Sequence, residues 1–162
     1  RRSSTFGPDR PLVPFVPFRR RRFEMAPATK NVRVFVINAV GLPNMDGLDK
    51  TDGYAKVHMN GKEVMRTRAV SNSLNPIWEA RKWVKWDGTD LIFSVWDSDF
   101  FTADDYIGRF VLSSDAIAKC FTGTVPLTLG PKAQAKGAAQ PTISISVVHV
   151  PDEGCWGGCS VM

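Results

Sequence analysis

Apolar and polar residues alternate in short segments from residue 31 onward, and Gly, Asn or Pro separates one segment from the next. A period of two places alternate side chains on opposite faces of a β-strand, so Val32, Val34 and Val36 of the first segment share one face. Eight segments follow this pattern: NVRVFVINAV, DGYAKVHM, EVMRTRAV, EARKWVKW, LIFSVWD, DYIGRFVL, TVPLTL and TISISVVHV. Eight short strands at this spacing predict an all-β fold, an eight-stranded antiparallel β-sandwich with one solvated face.

Two segments between the strands differ from this pattern. SSDAIAKCF predicts one helical turn capped by Ser113 or Ser114. The low-complexity segment GPKAQAKGAAQP, residues 130–141, is expected to be a loop between the last two strands. No run of about 18 apolar residues is present, so no transmembrane helix is predicted.

The charge of the chain is unevenly distributed. Residues 1–24 hold seven arginines against Asp9 and Glu24, which accounts for the whole net charge of +5. We interpret residues 1–29 as a Pro/Arg-rich tail: a disordered extension, a targeting peptide, a basic tail attracted to anionic lipid, or sequence outside the native product. The balanced charge of the remaining chain argues against nucleic-acid binding.

Five aspartates form two clusters about 45 residues apart, each at the end of a predicted strand: Asp46, Asp52, Asp97, Asp99 and Asp105. Carboxylates so close together repel one another unless a cation neutralises them. Ca²⁺ is the natural candidate, since it takes six to eight oxygen ligands in a flexible shell. The pattern therefore predicts a calcium-binding module.

Two other interpretations of the aspartates compete with this one. An EF-hand that begins at Asp97 would place Thr102 where its glycine belongs and Gly108 where its bidentate Glu belongs, so that motif is excluded. Alternatively, the aspartates cap turns in solvated loops. That explanation suits any single aspartate better than it suits all five.

Several motifs together resemble the C2 domain, a calcium-dependent membrane-binding module. They are the Leu-Pro before Asp46, Asp-Gly-Tyr at 52–54, Asn-Pro-x-Trp at 75–78, Val-Trp-Asp-x-Asp at 95–99 and Asp-x-Ile-Gly at 105–108. The resemblance covers residues 31 to about 150. It implies the five aspartates as calcium ligands, with backbone carbonyls from Met45 and Ser98. It also implies the phospholipase-type permutation, in which the first strand leads directly into the Asp46 loop.

Some positions depart from the family pattern or add to it. Gly53 stands where many relatives have Pro, which loosens the turn without removing a ligand. Asp49 and Asp104 are additional carboxylates that we expect to face solvent. Leu48, Phe100 and Phe101 are expected at the loop tips, where exposed apolar side chains suit insertion between lipid headgroups. The competing interpretation is that one of the two phenylalanines packs inward.

A basic surface is a second candidate site. We place Lys62, Arg66 and Arg68 on one strand and Arg81, Lys82 and Lys85 on the next. Relatives use a basic face there for phosphoinositides. Glu63 and Glu79 dilute the charge, so a solvated face is the competing interpretation.

The chain ends in Cys-Ser-Val-Met, which fits a prenylation box at Cys159, and Cys155 is a candidate second acylation site. A coincidental tail, or a cysteine pair that binds metal, is the alternative. Three cysteines do not make a disulfide framework, so a reducing compartment fits best.

We therefore expect a monomeric, non-enzymatic module at residues 30–151, followed by a flexible tail at 152–162. It would bind anionic phospholipid membranes with Ca²⁺ and lie peripherally on the cytoplasmic face. One alternative is a targeting fragment of a larger enzyme or pore-forming protein. Another is a calcium-independent protein-interaction domain.

Overall fold

The computed structural model describes residues 29–45, 49–100, 102–137 and 139–149, which form two antiparallel β-sheets around one core. The elements along the chain are β1 (Lys30–Val40), β2 (Gly53–Met59), β3 (Lys62–Arg66), β4 (Ile77–Trp86), β5 (Leu91–Asp97), β6 (Asp105–Leu112), α1 (Ser114–Ala118), β7 (Phe121–Pro126), β8 (Thr128–Leu129), α2 (Pro131–Ala135) and β9 (Thr142–His149). The all-β sandwich predicted from the sequence is confirmed.

The strand order is the one that the predicted permutation requires. One sheet has the order β4-β1-β9-β7 and the other has the order β3-β2-β5-β6-β8. The last strand, β9, fills the position between β1 and β7, with Val147 opposite Val34 and Ile145 opposite Val36.

The core is built from the faces that the period of two predicts. Val32, Val34 and Val36 of β1 are fully buried, and so are the matching residues of β5 and β9: Leu91, Phe93, Val95, Ile143, Ile145 and Val147. Burying a side chain of this size contributes about 1.5–3 kcal/mol to stability. Two sheets held by this core form a rigid support for the loops at their ends.

The segment TVPLTL differs from its prediction as a single strand. β7 ends at Pro126, Leu127 is buried, and β8 pairs with β6 in the other sheet. The described residues therefore contain nine strands instead of eight. Alternation continues across the crossover because Leu127 stays in the core, so the pattern alone could not reveal the change of sheet.

Both helices are short. α1 begins after Ser113, whose side chain accepts a hydrogen bond from the N–H of Ala116, so the predicted cap is confirmed. α2 lies within the segment 130–141, and the prediction that this whole segment is a loop is wrong. No helix in the described part of the chain is long and apolar enough to cross a bilayer.

Candidate metal centre

Two loops carry the aspartate clusters, and both lie at the same end of the five-stranded sheet. The first aspartate loop, residues 41–52, joins β1 to β2, and the second, residues 98–104, joins β5 to β6. In the pairing of these strands Gly53 is opposite Asp97, and Asp97 is opposite Asp105. Residues directly opposite in antiparallel strands have Cα atoms about 4.5–5.5 Å apart. The sheet therefore brings the backbones of Asp52, Asp97 and Asp105 together.

Asp97 joins the two loops directly. Its side chain is completely buried, and its Oδ1 accepts a 2.6 Å hydrogen bond from the N–H of Asp52. The N–H of Ser98 donates in turn to the carbonyl of Asp52 at 3.0 Å. Burial of a carboxylate destabilises the folded protein unless hydrogen bonds or a cation compensate for its lost hydration.

The side chain of Asp52 is held by the segment before β4. Its Oδ1 accepts a 2.7 Å hydrogen bond from the N–H of Asn72, and the Asn72 side chain accepts one from the N–H of Lys50 at 3.0 Å. Asn72 has a φ of 60°, a left-handed conformation that asparagine tolerates better than most residues. No motif or periodicity in the sequence indicates this role of Asn72.

Thr51 closes the first aspartate loop from inside the core. Its hydroxyl donates to the carbonyl of Pro43 at 2.7 Å and accepts from the N–H of Met45 at 3.0 Å. Thr51 is fully buried, and Met45 is 5% exposed. The two contacts fix the chain on the N-terminal side of residues 46–48.

The second aspartate loop is held by β2. The Tyr54 hydroxyl donates a 2.5 Å hydrogen bond to Oδ2 of Asp104, which lowers the pKa of that carboxyl. Burial, and then this contact, raise the pKa of Tyr54. Asp104 is partly buried, and the tyrosine reaches its carboxylate from the sheet.

Three other predicted positions of the second loop are described. Ser98 and Asp99 are partly buried, and Phe100 is 92% exposed. An apolar side chain so exposed at the tip of a loop is available to enter an apolar environment.

Asp105 already has a cationic partner. The ammonium group of Lys132, on α2, forms an ion pair with Oδ2 of Asp105. This contact raises the pKa of Lys132. No sequence pattern indicates this role of Lys132, which lies 27 residues from Asp105 in a segment expected to be a loop.

The donor atoms suit Ca²⁺, which prefers carboxylate and carbonyl oxygens, and a cation already lies against one of them. The side chains of Asp52, Asp97 and Asp105 nevertheless have separate partners. Across the described residues, no three Asp, Glu, His or Cys side chains converge closely enough to hold a metal ion. Five predicted site residues lie outside that part of the chain: Asp46, Leu48, Phe101, Cys155 and Cys159.

The residues of the predicted basic patch lie on or beside two strands that belong to different sheets. β3 is an edge of the five-stranded sheet, and β4 is an edge of the four-stranded sheet. Lys62 and Arg66 lie on β3, where Arg66 pairs with Glu63 at 2.7 Å, while Arg68 follows the strand. Arg81 and Lys82 are consecutive on β4 and therefore point to opposite faces.

Lys56 is a basic residue outside the predicted patch. It lies opposite Arg66 on β2, and its ammonium group is 4.1 Å from the centre of the Trp96 ring.

Comparison with known proteins identifies the family of this chain. A family model described as C2 domain matches residues 30–140. Synaptotagmin-5 from Arabidopsis thaliana is 39% identical over 84 residues, which are 49% of this chain and 15% of that protein. The chain therefore spans a small part of that relative's length.

Solved structures show the same fold. A C2 domain of plant extended synaptotagmin 1 matches with a TM-score of 0.65 and 20% identity, over 78% of this chain and 98% of that chain. A calcium-bound structure of two C2 domains of extended synaptotagmin 2 matches with a TM-score of 0.62 and 17% identity, over 75% of this chain and 46% of that chain.

Proposed function

Because the chain belongs to the C2 domain family, we propose that it binds anionic phospholipid membranes in a calcium-dependent manner through its two aspartate loops. The observation that carries the proposal is the pairing of Gly53 with Asp97 and of Asp97 with Asp105, which gathers acidic residues at one end of a sheet. The calcium-bound state of the matched extended synaptotagmin 2 structure supports the choice of metal.

The residues that would hold the metal are the five aspartates, with backbone carbonyls from Met45 and Ser98. Bound Ca²⁺ would supply positive charge and coordination positions for lipid phosphate oxygens. Without it, the net negative charge of the aspartate loops opposes an anionic leaflet. Each positive charge near an anionic membrane surface contributes about 1 kcal/mol to the free energy of binding. A change from negative to positive charge at this end of the sheet would therefore contribute several kcal/mol.

Apolar contact would add to the electrostatic attraction. Phe100 is 92% exposed beside Asp99, and complete burial of a phenylalanine gains about 1.5–3 kcal/mol. We include Leu48 and Phe101 in this membrane-contacting set on sequence grounds. The predicted basic residues are divided between two sheets, so we limit the proposal to anionic lipid in general.

A lipid anchor at Cys159, with Cys155 as a second acylation site, is a separate proposal that rests on the sequence. One lipid chain gives only marginal attachment, so calcium-loaded loops would provide the second signal for residence on a cytoplasmic membrane face. Mass spectrometry of the protein from eukaryotic cells tests this: an unmodified Cys159 would contradict it. Replacing Cys159 with Ser should lower resting membrane association and leave calcium-dependent vesicle binding intact.

The experiment for the main proposal is titration calorimetry with Ca²⁺ in the presence and absence of vesicles that contain phosphatidylserine. We expect binding in both cases and a tighter apparent affinity with vesicles. Heat from vesicles alone, without any response to Ca²⁺, would favour a calcium-independent module. That alternative has one observation in its favour, the internal partners of Asp52, Asp97 and Asp105.

A further inference from the structure

We infer that Lys132 is a built-in counter-cation of the aspartate loops, which competes with Ca²⁺ for Asp105 and so reduces calcium affinity. This inference rests on the proposed function, since it concerns the same metal site. Its basis is the ion pair between the Lys132 ammonium group and Oδ2 of Asp105, which links α2 to the beginning of β6.

The position of Lys132 is fixed by the packing of α2. Ala133, the next residue, is fully buried, and the N–H of Gly130 donates to the carbonyl of Ile107 on β6 at 2.8 Å. A Cβ atom at Gly130 would lie 2.6 Å from Cδ1 of Tyr106, so only glycine allows this close approach. The backbone of the helix therefore holds Lys132 against the sheet that carries the carboxylates.

The charge of Lys132 acts on more than one carboxylate. Asp105 lies opposite Asp97 in the sheet, and Asp105, Asp99 and Asp97 together favour the charged form of Lys132, which raises its pKa. An ammonium group here neutralises one negative charge and repels an incoming divalent cation. The side chains of Lys132 and Asp105 are 59% and 25% exposed, so water screens the pair. Because screened ion pairs are weak, we expect its removal to change calcium affinity by only about two- to fivefold.

The test compares two variants with the same loss of charge. Lys132→Gln removes the counter-cation, whereas Lys136→Gln removes a charge from the residue that ends the same helix and has no ion pair among the described residues. Calcium binding to metal-free protein is measured by calorimetry without lipid. We expect about two- to fivefold tighter binding for Lys132→Gln, and wild-type affinity for Lys136→Gln and for Lys132→Arg, which keeps the charge.

The possible results separate this inference from the proposed function. Unchanged or weaker affinity in Lys132→Gln, with normal binding by the wild type, would overturn the inference alone. If neither the wild type nor Lys132→Gln bound Ca²⁺, both the inference and the proposed function would be wrong. Binding by Lys132→Gln but not by the wild type would support the counter-cation and reject calcium control of the native chain. A second readout needs no variant: the side-chain amine resonance of Lys132 should shift on calcium addition, while that of Lys136 stays in place.

Discussion

The N–H of Asp52 donates a 2.6 Å hydrogen bond to Oδ1 of Asp97, which joins two loops that are 45 residues apart in the sequence. Asp97 thereby holds the loops together, whether or not it also coordinates a metal. Substitutions at Asp97 consequently change stability as well as calcium binding. Experiments that target binding alone should use other positions.

The structural role of Asp97 predicts a stability difference between two substitutions. Asp97→Asn and Asp97→Ala both remove the buried charge, but only asparagine keeps an oxygen that can accept from Asp52. We expect Asp97→Ala to be less stable than Asp97→Asn by about 1–3 kcal/mol in chelator, because the partly buried N–H of Asp52 loses its partner. Urea unfolding measures this difference. Equal midpoints would show that the contact adds nothing to stability.

Thr51 should be required for the shape of the first aspartate loop. Thr51→Val keeps the volume of the side chain but leaves the Pro43 carbonyl and the Met45 N–H without their partner, at a cost of about 1–3 kcal/mol. Thr51→Ser, which retains the hydroxyl, is the control and should lose less. Urea unfolding of the metal-free proteins provides the comparison, and full stability in Thr51→Val would refute this role.

The contact between Tyr54 and Asp104 predicts a dependence on pH. The hydrogen bond lowers the pKa of Asp104 in the folded state, so its contribution is complete above the unfolded pKa of about 3.9 and is lost as pH falls further. We expect Tyr54→Phe to cost about 1 kcal/mol at pH 7 and progressively less as the pH falls below about 4. The measurement is urea unfolding in chelator across this range. A constant difference between the two proteins would contradict the assignment.

Phe100 should act in membrane binding and not in folding. Because it is 92% exposed, Phe100→Ala should leave the unfolding midpoint unchanged. If the Phe100 ring enters the lipid, the affinity of Phe100→Ala for vesicles should fall by up to about tenfold. This loss equals about 1.4 kcal/mol, which is less than the 1.5–3 kcal/mol gained when a phenylalanine is completely buried. Val111→Ala is the control, since Val111 is 44% exposed at the other end of β6. Equal affinity loss in both variants would exclude a specific role for Phe100.

The sandwich could be predicted because the residues that form it follow a simple period. Val32, Val34 and Val36 are buried as their alternation requires. This alternation is visible in a sequence because it acts within one strand. The structure also gives a reason for the glycine of the Asp-x-Ile-Gly motif: a Cβ at Gly108 would lie 2.8 Å from the carbonyl oxygen of Thr128 in the neighbouring β8.

The polar contacts of the loops could not be predicted, because they join distant residues. Asn72 binds Asp52, Tyr54 binds Asp104 and Lys132 binds Asp105, over separations of 20 to 50 residues. No periodicity specifies such pairs. α2 did leave a signal, since Pro131 occupies the first turn of the helix, where proline is favoured.

Calcium-dependent membrane binding is best tested by co-sedimentation with phosphatidylserine vesicles, with calcium and with chelator. The variant is Asp99→Asn, and its control is Asp115→Asn, which removes a charge from α1. We predict that the wild type and Asp115→Asn pellet with vesicles only when calcium is present, and that Asp99→Asn pellets much less. Equal pelleting of all three proteins with calcium and with chelator would contradict the proposed calcium-dependent binding.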